Sequence, residues 1–134
     1  MTTKQYLRSL ERAAKRYAKL KIWGRDLSHI GFTIYYNPKN WASSGEAWVE
    51  TTPRSYWVIA GKDVADAHET ILHELAHTAL HKNENHGPVF TELLSRAVSE
   101  AVGAWVDPPP DPYRWRGNTH IRALRRKLDR KYHL

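Results

Sequence analysis

The chain has 134 residues, 41% of them apolar and 26% charged, with a formal net charge of +7 and no cysteine. That length and composition suit one domain with a single modest core and argue against disorder, while the missing thiols exclude disulfides and cysteine-ligated zinc ribbons, so any metal has to be held by His, Asp or Glu. No apolar run approaches the ~18 residues that cross a bilayer, and MTTKQYLRSL has no hydrophobic signal core, so the expected location is a reducing cytoplasm.

Over residues 2–22, Tyr6, Leu7, Leu10, Ala13, Ala14, Tyr17 and Leu20 recur at helical spacing with Lys and Arg on the other faces, and Gly24 is placed to end the helix. Three short strands are expected next. GFTIYY over 31–36 is closed by Asn37-Pro38, EAWVET over 46–51 follows the turn-like Ser43-Ser44-Gly45, and SYWVIA over 55–60 follows Pro53. Their tight links predict an antiparallel meander. Asp63 can cap a second helix over 64–81, with Asp66 favourably placed in its first turn. KNENHG over 82–87 reads as a polar turn, and Pro88 suits the first position of a third helix reaching about Val102. DPPPDP over 107–112 cannot be helical and reads as an extended spacer. A short basic helix with Ile121, Leu124 and Leu128 on one side follows it.

The segment His73-Glu74-Leu75-Ala76-His77 carries the chemistry. Helical positions four apart lie on one side, about 6 Å apart along the axis, so two imidazoles there can reach one tetrahedral ion. Glu74 is placed to take a proton from water at the ion's open position. On a helical wheel Val64, Ile71, Leu72, Leu75 and Ala79 fall on one side, and Thr70, His73, Glu74, His77 and His81 on the other. The helix is therefore expected to bury one face and line a cleft with the other. A catalytic zinc needs a third protein ligand. His86, held by Gly87-Pro88 at the mouth of the next helix, is the first choice, with Glu92 and Glu100 as rivals. His81 is expected to flank the cleft. The metzincin pattern does not fit, since Leu80 stands at its glycine position and Asn83 at its third histidine.

Charge is segregated. Residues 1–25 carry eight Lys/Arg against one acid and residues 107–134 eight against three, while residues 26–106 carry five against ten, so the middle is −5 and the ends sum to +12. Basic ends around an acidic body can place it on a polyanion such as single-stranded DNA, or simply keep it soluble. Trp41, Trp48, Trp57, Trp105 and Trp115 are too many for so small a core. Trp48 and Trp57 can pack on the sheet, line a substrate groove or stack on bases, and Tyr113-Arg114-Trp115-Arg116 suits single-stranded nucleic acid or folds back on the body.

The run HELAHTALHKNENHGPVF resembles the active-site segment of SprT-like metallopeptidases, a group that includes the Spartan DNA–protein crosslink proteases. The likeness extends over residues 1–103 in element order and is specific over about 70–94. It implies His73, His77 and His86 as ligands of Zn2+, Glu74 as general base and Phe90 packed beneath the site. The chain departs from the group in lacking a cysteine ribbon and in the short turn between His77 and His86. The expected fold is α+β: a small zincin-like domain over residues 1–106, with an N-terminal helix, a three-stranded antiparallel sheet, the HExxH helix and the helix after it, then a Pro-rich spacer and basic tail over 107–134. The expected function is peptide-bond hydrolysis of a protein or peptide laid along the sheet edge, on DNA-associated proteins. Tyr35, Tyr36, Tyr56, His81 and Tyr113 are the candidates to stabilise the oxyanion. The alternative is a non-catalytic zinc protein that binds nucleic acid or serves phage assembly.

Overall fold

Thr2 opens the first helix: its hydroxyl accepts from the Gln5 amide at 3.1 Å while the Gln5 side chain accepts from the Thr2 amide at 2.8 Å, which satisfies two otherwise orphaned donors. A computed structural model of the protein describes residues 2–50, 52–80, 86–108 and 118–131. Helix α1 covers Thr3–Tyr17 and buries Tyr6, Leu10, Ala13, Ala14 and Tyr17. It stops short of the expected residue 22 because the buried Trp23 folds back, its indole donating to the Tyr17 carbonyl at 2.8 Å. A single 3₁₀ turn, Lys21–Trp23, takes over and is closed by Gly24 in the left-handed region at φ +74°.

The sheet has β1 (Gly31–Tyr36), β2 (Ser44–Trp48) and β3 (Ser55–Ala60) in the order β1-β3-β2. The expected antiparallel meander is corrected here: β1 and β3 are parallel, and only β2 and β3 are antiparallel. The central place goes to the most apolar strand, which is paired along both of its edges. In β3, Tyr56, Val58 and Ala60 are buried and Ser55, Trp57 and Ile59 half-buried, whereas β2 (SGEAW) is short and polar enough to stand at an edge. The link between β1 and β2 folds over the end of β3. Asn37 donates to Ala60 at 2.8 Å, and Gly61 runs so close under the carbonyls of Trp41 and Ala42 that a side chain there would collide with them.

Helix α2 (Val64–Ala79) starts where Asp63 accepts from the amides of Ala65 at 3.1 Å and Asp66 at 3.4 Å, and ends where Leu80 turns extended at ψ 137°. The predicted end at His81 falls outside the described residues. The expected amphipathic division of this helix is also corrected. Ala65, Ala67–Ala76 and Thr78 are all buried, because the sheet, α1, α3 and α4 surround α2. Helix α3 (Pro88–Val102) begins with Pro88 in its first turn, as read from the sequence, and ends at Gly103 with φ +77°. Helix α4 (Asn118–Lys131) lies on α2 and α3 with Leu124 and Leu128 in the common core, and its Arg125 pairs with Asp63. Among the described residues no helix is long and apolar enough to cross a membrane.

Candidate metal centre

Helix α2 presents His73 and His77 one turn apart, and the start of α3 brings His86 to them. The Nε2 atoms of His73 and His86 lie 3.1 Å apart, those of His77 and His73 3.2 Å, and those of His77 and His86 3.0 Å. Each neutral imidazole Nε2 carries either a hydrogen or a lone pair. A hydrogen bond needs one of each, and a ring of three cannot alternate, so these contacts cannot all be hydrogen bonds. Donors gathered round a tetrahedral ion at ~2.0–2.1 Å stand about 3.3–3.4 Å from one another, within a few tenths of an ångström of this triangle. The donor set therefore fits a single divalent cation, with neutral imidazoles as ligands. Burial lowers His77 to about 4, with neighbouring His86 adding to the shift, and burial lowers His86 as well, so neither is held as a cation.

Phe90 makes the floor. It is fully buried in the first turn of α3, with ring centroids 4.8 Å from His73, 4.4 Å from His77 and 5.0 Å from His86, and it lies stacked beneath His77. An aromatic ring there excludes water from below and fixes the imidazole planes.

Glu74 stands beside the triangle, with Oε1 3.8 Å from His73 Nε2. It is 3% exposed, and its other oxygen has no hydrogen-bond partner among the described residues. Burial pushes its carboxyl up to about 8, and the like charge of Glu46 adds to this; positive charge at the three nitrogens would act the opposite way. The buried hydroxyl of Tyr56, on β3, also lacks a partner among the described residues, and burial together with the Glu74 charge raises its pKa well above the ordinary tyrosine value. Two adjacent buried polar groups without partners cost of order 1–3 kcal/mol each, which is unusual outside a working site.

The other expected residues separate cleanly. Glu92 pairs with Arg96 on the exposed face of α3, and Glu100 accepts from the amides of Lys21 and Ile22 at 2.7 and 2.9 Å, so neither rival joins the histidines. Tyr36 stacks on Tyr6 with centroids 5.0 Å apart and Tyr35 is exposed on the outer sheet face, which leaves Tyr56 as the described tyrosine beside Glu74. His81, Tyr113, Arg114, Trp115 and Arg116 lie outside the described residues. Gly45, read from the sequence as part of a turn, is in β2. A Cβ at that position would stand 2.8 Å from the Trp57 carbonyl oxygen and 3.0 Å from Glu74 Cγ. Its signal was a glycine beside a strand pattern, which marks close approach as readily as a turn.

The described residues define a class: among them are four helices and a three-stranded mixed sheet, a mixed α/β domain whose central helix and its successor bring three histidines close enough to hold a metal ion. Comparison with known proteins returns no matching family model, no similar curated protein and no similar solved structure.

Proposed function

We propose that the protein is a zinc metallopeptidase of the SprT-like type. The observation that carries this reading is the triangle of Nε2 atoms from His73, His77 and His86 with the buried Glu74 carboxylate at its side. Zinc, when bound, would polarise a scissile carbonyl and lower the pKa of a water at its open position. Glu74 accepts the water's proton at a carboxylate oxygen and later delivers it to the leaving amine. Tyr56 offers its hydroxyl hydrogen to the oxygen that becomes negative. The substrate backbone pairs with β2, whose one strand partner among the described residues is β3 and whose Gly45 touches the Glu74 stem.

Metal analysis of the purified chain tests the site. The expected result is about one zinc in the wild type and in Glu74→Gln, and loss from His73→Ala and His86→Ala, with casein cleavage absent from Glu74→Gln. A His86→Ala protein that keeps full zinc would remove the third ligand and the reading with it.

Action on nucleic-acid-bound proteins, and equally the non-catalytic alternative, draws support from α1. Lys4, Arg8, Arg12, Lys15 and Arg16 are exposed along it, Lys19 follows, and none is in an ion pair among the described residues. Lys4 also lies in the first turn of the helix, where the dipole disfavours cations, a placement that stability alone does not explain. Six phosphate contacts with single-stranded DNA correspond to a slope of about −4 in log affinity against log salt. A flat salt dependence would exclude the polyanion. Catalysis separates the two roles, since a structural zinc leaves casein uncut.

A further inference from the structure

The sheet packs one face on α2, and among the described residues no helix covers the other. Along β2 the inward Gly45 and Ala47 alternate with the outward Ser44, Glu46 and Trp48. Register sets Glu46 directly beside Trp57 of β3, with Trp48 two residues along on the same face. Trp48 is 47% exposed, and with the half-buried Trp57 it lines a shallow groove of about 640 Å³. Glu46 is exposed and makes no ion pair among the described residues.

We propose that this edge and face bind an extended polypeptide segment carrying arginine or lysine opposite Glu46. A strand added to β2 would lie about 4.8 Å away, and its residue opposite Glu46 would project to the outer face. A long cationic stem there crosses Glu46, bringing the charge over the Trp57 ring with Trp48 at its flank. A carboxylate and two indoles on one exposed surface form a site for a cation, through ion pairing and cation–π attraction together. Nucleic acid suits the face poorly. Its phosphates would meet Glu46, and residues 26–106 carry ten acids against five Lys/Arg. The inference rests on the edge-strand part of the reading above and not on hydrolysis.

The test uses the full chain with Glu74→Gln, so that nothing is cut, and tryptophan fluorescence at low salt. The probes are a capped peptide Ala-Thr-Val-Arg-Val-Thr-Ala and its twin with uncharged citrulline in place of arginine. The arginine peptide is expected to bind about fivefold tighter, a preference that Glu46→Gln abolishes and that salt weakens. Equal affinities for the two peptides would overturn the cation site while leaving edge docking intact. Failure of both to bind would remove edge docking as well. Oligothymidylate that quenches the same fluorescence, and binds more tightly once Glu46→Gln is made, would assign the face to nucleic acid and overturn the proposal.

Discussion

Gly45→Ala is the smallest change that reaches the site. The added methyl would stand 2.8 Å from the Trp57 carbonyl oxygen, 3.0 Å from Glu74 Cγ and 3.3 Å from Glu74 Cδ. The carbonyl belongs to the central strand and cannot retreat without opening β2 from β3, whereas the Glu74 stem can move only by displacing its carboxylate from beside His73. Overpacking of this kind costs about 1–3 kcal/mol, which at an m-value of roughly 2 kcal/mol/M lowers the urea midpoint by about 1 M. A base shifted by about an ångström costs up to ~100-fold in rate. Zinc content should not change, because the histidines stand on other atoms. Gly31→Ala is the matched control, since nothing lies within 4 Å of its added methyl, and its effect should stay within about 0.5 kcal/mol. Equilibrium unfolding and casein cleavage of the two variants side by side decide the matter. If Gly45→Ala matches Gly31→Ala in both, the close approach of β2 to Glu74 is not what fixes the base.

Two further outcomes follow from the packing. Phe90→Ala opens a cavity beneath three imidazoles and should cost about 3–5 kcal/mol of stability, measured by urea unfolding, whereas Phe90→Leu costs less and retains zinc. For His120, 0% exposed on α4, burial lowers the pKa to about 4 from 6.5. Below pH 6.5 the unfolded chain binds a proton that the folded chain refuses, so this contribution is complete above 6.5 and is lost as pH falls toward 4. The loss amounts to about 3 kcal/mol; His120→Gln should remove that part of the pH slope, and an unchanged slope would show that the ring is charged in the fold.

The histidine triangle was legible because its signals are local. His73 and His77 are tied by one helical turn, and the glycine and proline after His86 fix where α3 begins, so the third imidazole follows from short spacings, while the place of Phe90 was implied only by the resemblance to SprT-like metallopeptidases. The sheet order was not legible, because Asn37-Pro38 signals a turn without saying whether the next strand lies beside β1 or beyond β3. That choice was made by burial, which places SYWVIA in the centre. The all-round burial of α2 was hidden for a similar reason. A wheel registers polar residues as solvent-facing, but His73 and Glu74 are 4% and 3% exposed, and polarity at a site lies inside the body. The early end of α1 depended on Trp23 returning to Tyr17, a contact that helical periodicity does not encode.

The chain has eight histidines, and partner geometry separates them. Buried His68 meets the Tyr17 hydroxyl at 2.7 Å, and buried His120 meets the Ser95 hydroxyl at 2.7 Å. A hydroxyl can donate or accept, so each of these rings can settle on one tautomer with a neutral partner. Glutamine at either place offers the same donor and acceptor, and His68→Gln should therefore cost no more than about 1–3 kcal/mol while leaving zinc content unchanged. His73 differs in kind. Its Nε2 is one corner of a triangle whose three contacts cannot all be hydrogen bonds and whose atoms lie close enough to hold a metal ion. An amide oxygen is a much weaker zinc ligand than an imidazole nitrogen, so His73→Gln should abolish zinc binding even where the fold survives by circular dichroism. Zinc retained in His73→Gln, or lost in His68→Gln, would show that the two groups of histidines have been assigned the wrong way round.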